Sequence, residues 1–489
     1  MSKRITIDPI TRLEGHGKIE IFLNDEGEVD NCYFQVPELR GFEKFCEGRQ
    51  VEEMPRITCR ICGVCPEAHH MASAKAGDAV YGVDIPPAAK KLREMQYSAF
   101  YAGDHTTHFY ILGGPDFVMG PDAPPAERNI LGVVSKVGME LAGQVLHQRK
   151  IAHEVAAMMG GRPVHPMGSL VGGVSKGLTP EERDRVIEIG KESVEFAKVT
   201  LQVFDDIVLK NSTYVEIITG AAFNNIKTHY MGLVDSNNKV NFYDGDVRVV
   251  DVEGNEFCKY KPEDYLEHVA EHVEPWTYLK FPYLKKKGWK GMVDGMDSGV
   301  YRASPLSRLN ASDGMATPLA QAEFDKMYKT LGGKPVHATL ATHWARVIEL
   351  MYAAERLLEL AQDPEIISKD IRTVPTKVPD EGVGIVESPR GTLTHHYITD
   401  ENGVLLKVNL IVGTTNNNAA ICMSIKEAAK ALITKGTTVT EGLLNTIEMA
   451  FRAYDPCFGC ATHTLPGEMP IIVNIYDKDR NLLKHLKRD

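Results

Sequence analysis

Residues 60–65 read Arg60-Ile61-Cys62-Gly63-Val64-Cys65, and residues 455–460 read Asp455-Pro456-Cys457-Phe458-Gly459-Cys460. Each stretch holds two cysteines three positions apart, so a single turn of chain can direct both sulfurs at one soft metal. Two such pairs complete a four-sulfur shell around zinc, nickel or iron, and a structural zinc site is the simplest interpretation of the spacing. Most of the chain separates the pairs, however, and a charged residue flanks each of them, which favours a site that performs chemistry.

Further short motifs lie around the two cysteine pairs. They are Asp8-Pro9-Ile10-Thr11-Arg12-Leu13-Glu14-Gly15-His16, Arg40-Gly41-Phe42-Glu43, His108-Phe109-Tyr110, Ser388-Pro389-Arg390-Gly391 and, after the second pair, Ala461-Thr462-His463. In this order the motifs and the pairs resemble the large subunit of the nickel–iron (NiFe) hydrogenases over the whole chain. The resemblance implies an α+β, mainly α fold, in which a bundle of long helices carries an N-terminal antiparallel sheet and β-meander insertions.

The composition excludes several function classes. The 489 residues include 66 acidic and 55 basic side chains, and the net charge of -11 gives no basic footprint for nucleic acid. The chain has no uncharged apolar run of about 18 residues, and its start has no apolar signal region. We therefore expect no membrane insertion and a cytoplasmic location.

The cysteine count supports the same expectation. Nine cysteines, an odd number without a short-loop framework, argue against disulfides and for a reducing compartment. The cysteines outside the two pairs are predicted to be small buried hydrophobic residues. They are Cys32, Cys46, Cys59, Cys258 and Cys422.

Hydrophobic periodicity predicts the organisation of the chain. No repeat or low-complexity linker divides it, so we expect one domain over 1–463 and a C-terminal extension over 464–489. Alternating residues predict a small sheet within about 1–40, and short strands predict a β insertion within about 214–300. A hairpin over 392–412 is predicted to turn at Glu401-Asn402-Gly403. Helices are predicted over 86–112, 126–159, 179–210, 342–362, 423–435 and 440–453.

Two local patterns refine the predicted helices. Thr179-Pro180-Glu181-Glu182 is typical of a helix start, with Thr179 as the N-cap and a glutamate three residues later. Within 126–159, apolar residues recur at helical spacing, and such a stripe is predicted to face the core. Its members are Ile130, Leu131, Val134, Val137, Leu141 and Val145.

The four paired cysteines are the predicted metal ligands. Heterolytic cleavage of H2 separates a hydride from a proton, so it requires a soft metal with a base nearby. The resemblance implies that Cys62 and Cys457 are terminal nickel ligands. It also implies that Cys65 and Cys460 bridge nickel to an iron that carries CO and cyanide.

Arg390 is the predicted cation beside this centre, where it would donate to an iron ligand or assist as a base. By itself the residue could equally be a solvated loop arginine, and the Ser388-Pro389-Arg390-Gly391 match favours the buried role. Asp104 and Asp455 are predicted to orient it, because a buried charge without a partner is unfavourable. Pro389 and Thr414 are predicted to contact the diatomic iron ligands, with Thr414 donating to a cyanide.

Glu14 is the predicted first proton acceptor. A carboxyl group beside a terminal thiolate can take up a proton and pass it outward. The alternative is a salt bridge at a strand edge with Arg12 or Lys18, which the sequence leaves open.

The resemblance also implies a second, harder metal site. Glu43 and His463 would bind magnesium, or iron, together with the backbone carbonyl of Leu410. His69, seven residues after Cys62, is predicted to donate to a sulfur.

Alternatives to a hydrogenase are a structural zinc protein and the metal-free large-subunit homologue of respiratory quinone-reducing complexes. All four thiols are present here, which argues against the metal-free homologue. This chain shows no flavin or nicotinamide motif, so electrons are expected to leave through a small subunit with iron–sulfur clusters. Pro66-Glu67-Ala68-His69-His70 and Leu465-Pro466-Gly467-Glu468-Met469-Pro470 resemble the cytoplasmic methanogen-type, F420-non-reducing (methyl-viologen-reducing) branch. That branch implies an electron-transfer subunit and heterodisulfide reductase as partners; F420- or NAD(P)-linked relatives remain alternatives.

The residues after His463 resemble a precursor extension that is removed on maturation.

Overall fold

The computed structural model describes residues 4–462, 471–476 and 482–488. Helices predominate in this part of the chain and small sheets flank them, so the predicted α+β, mainly α class is confirmed. No helix within these ranges is both long enough and apolar enough to cross a membrane.

The helices of the described residues differ widely in length. In chain order α1 to α16 are Phe42–Cys46, Met54–Thr58, Pro66–Val80, Pro87–Thr107, Gly114–Val118, Ile130–Val137, Met139–Gly160, Pro180–Phe204, Ser212–Thr219, Tyr265–His268, Pro305–Ala311, Pro318–Thr330, Thr342–Gln362, Asn418–Leu432, Glu441–Arg452 and Phe458–Ala461. Two π-helical turns, His108–Gly113 and Asp205–Leu209, continue α4 and α8.

The strands of the described residues form separate small sheets. In chain order β1 to β16 are Arg4–Ile7, Lys18–Leu23, Val29–Gln35, Ser169–Leu170, Gly173–Val174, His229–Val234, Asp246–Val250, Glu256–Tyr260, Val269–Val273, Lys280–Leu284, Tyr301–Arg302, Glu381–Ser388, Gly391–Thr399, Leu405–Ile411, Ile471–Tyr476 and Leu482–Arg488. The main sheets are the antiparallel β1-β2-β3 and β12-β13-β14 and the mixed β11-β6-β7-β8, while β9 with β10 and β15 with β16 form two-stranded pairs.

Helix α13 lies in the centre of the core. Its first thirteen residues, 342–354, are buried on every side, as expected for a helix enclosed by other elements. It packs against α8 and α4, two of the other long helices. Thr179 and Glu182 form the expected capping box at the start of α8.

A close helix–sheet contact connects the core to the cysteine pair. Helix α3, which begins directly after Cys65, packs against β12 and β13. At Gly384 a side chain would bring a Cβ within 2.2 Å of the carbonyl oxygen of Ala72, so only glycine permits this approach. The same sheet ends at the Ser388–Gly391 turn, and the packing therefore fixes that turn relative to Cys65.

The predicted helix over 126–159 is wrong in one respect, because the structure breaks it into α6 and α7. Gly138 separates the two helices with a φ of 90°, a conformation that glycine adopts without strain. The predicted core stripe therefore does not share one face. Val145 is buried, whereas Ile130 and Leu131 are exposed, Leu131 at 77%.

Two strands form near the end of the chain. Ile471–Tyr476 pairs in antiparallel fashion with Leu482–Arg488. His463 and the segment that follows it lie outside the described residues. The structure therefore gives no geometry for the predicted role of His463.

Candidate metal centre

The two cysteine pairs converge in one buried cluster. The sulfurs of Cys62, Cys65, Cys457 and Cys460 all lie within 4.8 Å of one another. The Sγ–Sγ distances are 3.4 Å from Cys62 to Cys457, 3.5 Å from Cys65 to Cys460 and 2.8 Å from Cys457 to Cys460. The described residues contain no other group of three or more histidine, cysteine or acidic side chains placed to bind a metal.

The electrostatics of the cluster suit a thiophilic cation. Burial raises the pKa of Cys457 and that of Cys460 well above the ordinary thiol value. Hydrogen bonds from the neighbouring thiols, led by Cys457, instead hold the pKa of Cys62 well below it. One thiolate is thus stabilised by protonated neighbours. A soft metal would replace those protons, because metal binding to thiols releases them.

Local backbone structure places the first pair. A short 3₁₀ turn, Cys59–Ile61, leads into Cys62, whose backbone is extended. The amides of Val64 and Cys65 then donate to the Cys62 sulfur at 3.1 and 3.2 Å. Cys65 itself precedes Pro66, the first residue of α3, and the helix N-terminus there favours negative charge on the sulfurs.

The second pair is held by the N-terminal loop. Glu14 forms a parallel bridge with Cys457, and the Glu14 carbonyl accepts from the amide of Phe458 at 3.0 Å. The half-buried Glu14 carboxylate accepts from the amide of Gly459 at 2.8 Å and from the Cys457 thiol at 3.0 Å. Gly15, at φ 87°, lies so close that a Cβ would meet the Gly459 nitrogen at 2.9 Å.

This geometry differs from the salt-bridge alternative for Glu14. Lys18 pairs with Glu20 at 2.8 Å, and Arg12 pairs with Asp116. The Glu14 carboxylate faces the sulfur cluster, as its predicted role requires.

Arg390 lies buried between the two predicted carboxylates. Its Nη1 is 3.1 Å from Oδ2 of Asp104, and its Nη2 is 2.9 Å from Oδ2 of Asp455. Burial alone would lower the pKa of Arg390, but the two carboxylates outweigh it, raise that pKa and keep the guanidinium charged. Asp455 adopts a positive φ of 55°, a conformation that is uncommon outside glycine, and this turn brings its carboxylate to Arg390.

Pro389 and Thr414 have protein partners in the structure. The Pro389 carbonyl accepts from Nη2 of Arg308 at 3.2 Å. The Thr414 hydroxyl, which is buried, accepts from the amide of Cys457 at 3.0 Å. Thr414 therefore adjoins the cysteine pair, as its predicted contact with an iron ligand requires.

At the second predicted site, Glu43 and Leu410 are neighbours. Burial raises the pKa of Glu43 above its ordinary value, and the charge of Lys280 and a backbone hydrogen bond at Leu410 oppose this rise. Nζ of the buried Lys280 lies 3.2 Å from Glu43 and 2.9 Å from Glu271. When both carboxylates are ionised, they and the ammonium carry one net negative charge, a state that a bound cation would favour. Neither Lys280 nor Glu271 could be recognised from local sequence, because both come from the distant β9–β10 pair.

His69 is part of a buried chain of polar side chains. Its Nδ1 lies 3.2 Å from Nε2 of His395, and Nδ1 of His395 lies 2.7 Å from the hydroxyl of Tyr397. The Tyr397 hydroxyl donates to Ser73 at 2.9 Å. The structure thus joins α3 to β13 through His69, while a hydrogen bond from His69 to a sulfur stays a prediction.

Some neighbours of the cluster were not predicted from the sequence. Nη1 of Arg40 donates to the carbonyls of Ile61 at 2.5 Å and Gly459 at 2.6 Å, so it ties the two cysteine loops together. Nε2 of His165 lies 3.1 Å from the Cys62 carbonyl. Arg40 opens the motif that also holds Glu43 and could have been considered, whereas His165 carries no comparable signal.

The chain matches known hydrogenases over nearly its full length. Residues 40–130 and 141–463 match the family described as nickel-dependent hydrogenase, and residues 4–39 match one described as HoxL-like. An F420-non-reducing hydrogenase iron-sulfur subunit of Archaeoglobus profundus is 49% identical over 485 residues, covering 99% of each chain. An F420-non-reducing hydrogenase subunit of Methanothermobacter thermautotrophicus is 42% identical over 489 residues, covering 99% of this chain and 100% of that one.

A solved structure agrees with these relatives. An NAD+-reducing NiFe hydrogenase in its H2-reduced state superposes with a TM-score of 0.88 at 36% identity, covering 94% of this chain and 99% of that chain. The family match spans more than half of the sequence, and the four paired cysteines of the chain form one buried cluster. The chain therefore belongs to the nickel-dependent hydrogenase family, as a large subunit, and is an enzyme that acts on H2.

Proposed function

We propose that this protein is the catalytic subunit of an F420-non-reducing hydrogenase that exchanges electrons with an iron–sulfur partner. The observation that carries the proposal is the set of four buried thiols, which have the Glu14 carboxylate on one sulfur and the Arg390 ion pairs beside them. This arrangement combines a soft-metal shell with a proton acceptor, the two elements that H2 cleavage requires, and places a fixed cation beside them.

Cys62 and Cys457 would bind nickel at terminal positions, and Cys65 and Cys460 would bridge it to an iron that carries CO and cyanide. The donor set fits, because all four ligands are thiols that a soft metal prefers. When bound, the centre supplies the electrophile at which H2 is polarised. Arg390, held by Asp104 and Asp455, would present its remaining N–H groups towards the iron ligands. Pro389 and Thr414 would contact the same ligands, and Thr414 adjoins Cys457.

Glu14 would receive the proton from the Cys457 sulfur. Its Oε2 lies 3.0 Å from that sulfur, within reach for direct transfer. The amide of Gly459 fixes the same oxygen, so the carboxylate is oriented before the reaction.

At the second site, Glu43, the Leu410 carbonyl and His463 would bind magnesium, or iron if the imidazole dominates the donor set. The negative charge left by Glu43, Glu271 and Lys280 supports a cation there. Metal analysis of the purified enzyme distinguishes the two metals.

The partner would dock over the Cys62 loop. Gly63 and Val64 are exposed directly beside two buried sulfur ligands, which gives electrons a short way out. Arg149 and His153 of α7 line a cavity with this loop, and Leu146 and Met139 lie exposed further along the same helix. We propose that a small subunit with iron–sulfur clusters covers this surface.

The relatives named F420-non-reducing hydrogenases support that branch for this chain. We propose for it an acceptor chain that runs through an electron-transfer subunit to heterodisulfide reductase, in the cytoplasm. The NAD+-reducing structural relative gives the alternative of a nicotinamide acceptor, reached through another subunit. In either case the acceptor is chosen by partner subunits.

The test is metal analysis and H2-dependent dye reduction on the complex purified without oxygen. We expect nickel equimolar with the chain, iron in excess of nickel, little zinc, and reduction of methyl viologen but not of F420. Stoichiometric zinc without nickel would reject the metal centre. Direct reduction of F420 or NAD+ by the complex would reject the proposed acceptor branch and leave the centre intact.

We also propose that the extension after His463 is removed on maturation, so that 1–463 is the working domain. The extension would keep the cluster accessible while the metals are inserted. Intact-mass measurement of the large subunit in active enzyme is expected to give a chain that ends at His463. An active large subunit that still ends at Asp489 would show that the extension is permanent.

A further inference from the structure

A buried ionic cluster lies on the far side of the loop that carries Glu14. Its centre is Asp116, whose Oδ1 pairs with Nη2 of Arg12 and whose Oδ2 lies 3.2 Å from Nη1 of Arg452. Asn445 donates to Oδ1 of Asp116 at 3.0 Å, and Glu448 pairs with Arg452. We call these five residues the Asp116 cluster. Two arginines and two carboxylates balance their charges, which makes their burial tolerable.

Two arginines keep the Asp116 carboxylate ionised. Burial by itself would raise the pKa of Asp116, but Arg452 and Arg12 outweigh it and hold that pKa below its ordinary value. The central carboxylate is therefore a stable anchor for both guanidinium groups.

The Asp116 cluster holds the backbone just before Glu14. Arg452 donates from Nε to the Thr11 carbonyl at 3.1 Å and from Nη2 to the Thr11 hydroxyl at 3.0 Å. The Thr11 amide donates to Glu448 at 3.2 Å. Thr11 is thus bound through its amide, its carbonyl and its side chain.

Arg12 holds an uncommon backbone conformation in this loop. Its φ is 61°, a left-handed conformation that a residue with a side chain adopts only where its surroundings enforce it. Nη1 of Arg12 donates to the carbonyl of Leu112 at 3.0 Å. Leu112 lies in the π-helical turn His108–Gly113, and such turns are frequent near functional sites.

The same loop meets the second cysteine pair two residues later. The Glu14 amide donates to the Pro456 carbonyl at 3.3 Å, and the Phe458 amide donates to the Glu14 carbonyl at 3.0 Å. Leu13 alone thus separates Arg12 from Glu14, whose carboxylate accepts from the Cys457 thiol at 3.0 Å.

We propose that Arg12 and Asp116 are positioning residues that hold the Glu14 carboxylate at the Cys457 sulfur, an inference that rests on the proposed function. Within the described part of the chain, the hydrogen bonds and ion pairs of both side chains lead away from the sulfur cluster. They act through the Thr11–Glu14 backbone, and a displacement of Glu14 of about 1 Å is enough to slow a reaction up to about 100-fold.

The test compares Arg12→Lys and Asp116→Asn with Arg356→Lys, in the purified complex. Lysine keeps the charge of Arg12 but cannot contact Asp116, Asn445 and Leu112 together. Arg356 pairs with Glu94 at 2.7 Å at a distant, partly exposed position and serves as the matched control. We expect Arg12→Lys and Asp116→Asn to lose about 10- to 100-fold in H2 oxidation, with nickel and iron content and the cyanide infrared bands unchanged.

Two further readouts separate positioning from general stability. Hydrogen exchange in peptides covering 8–18 and 455–460 is expected to accelerate in Arg12→Lys and to stay unchanged in Arg356→Lys. In a Glu14→Gln background, Arg12→Lys is expected to change turnover by no more than about twofold. The carboxylate that Arg12 is proposed to position is already absent there, so its displacement has no further effect.

Several results would overturn the inference. The first is wild-type turnover in both Arg12→Lys and Asp116→Asn. The second is a loss of turnover from Arg12→Lys that multiplies with the loss from Glu14→Gln in the double variant. The third is a loss of turnover in proportion to a loss of nickel. Asp116→Asn preserves the shape of the centre and decides the question if Arg12→Lys does not fold. Full turnover of Glu14→Gln by itself would instead reject the proposed role of Glu14, whatever Arg12→Lys shows.

Discussion

Replacing Cys457 by serine is expected to abolish both H2 oxidation and nickel retention. Cys457 lies at the centre of the thiol cluster, 3.4 Å from Cys62 and 2.8 Å from Cys460. A hydroxyl group is a hard and weakly acidic donor, so it does not replace a thiolate at a soft metal. Nickel content by elemental analysis and dye reduction under H2 measure the effect, which we expect to reduce both below detection.

A matched cysteine outside the cluster provides the control. Cys258 is half-buried on β8, and Cys258→Ser is expected to retain nickel and turnover. Near-normal activity of Cys457→Ser, with its metals present, would rule out the nickel assignment. Loss of folding would appear as a lowered melting temperature. The melting temperature of Cys457→Ser is not expected to fall as it would in a variant that disrupts the core, because the backbone amide at position 457 still donates to Thr414.

Replacing Glu14 by glutamine is expected to reduce turnover about 100-fold or more while the metals stay bound. The amide has the shape of the carboxyl group and its oxygen can still accept from Gly459, but it cannot take up a proton from the Cys457 sulfur. Turnover, nickel content and the cyanide infrared bands of the same preparation separate a lost proton acceptor from a lost cluster.

Glu20 offers a control for Glu14. It is an acidic residue of the N-terminal sheet that pairs with Lys18 at 2.8 Å, and its carboxylate has no contact with the sulfurs among the described hydrogen bonds. Glu20→Gln is expected to behave like the unmodified enzyme. If Glu14→Gln turned over at the unmodified rate, proton transfer would have to begin at another group.

Much of the fold could be predicted from short-range patterns. The span of α13 agrees with the predicted 342–362, and the hairpin of β13 and β14 turns at the predicted residues, because helical and strand periodicities are properties of short segments. The break at Gly138 was missed, since one glycine within a periodic helix pattern does not reveal that its φ is 90°.

The candidate site divides in the same way. The four ligands could be recognised in the sequence because a soft metal restricts them to thiols, and the spacing of each pair is local. The partners of Arg390 were predicted from charge and resemblance, whereas His165, Lys280 and Glu271 required the packed structure. Lys280 shows why, since it meets Glu43 across 237 positions of the chain.

The sequence by itself determined the family, the thiol ligands and the helical character of this chain, since these depend on residue types and local spacing. Tertiary structure alone decided that Glu14 faces Cys457 rather than Lys18, and that Asp116 holds the loop before it. The physical reason is that a carboxylate takes the partner that packing brings near it. Here a contact between residues 14 and 457 exists only because the N-terminal loop and the end of the last long helix fold against each other.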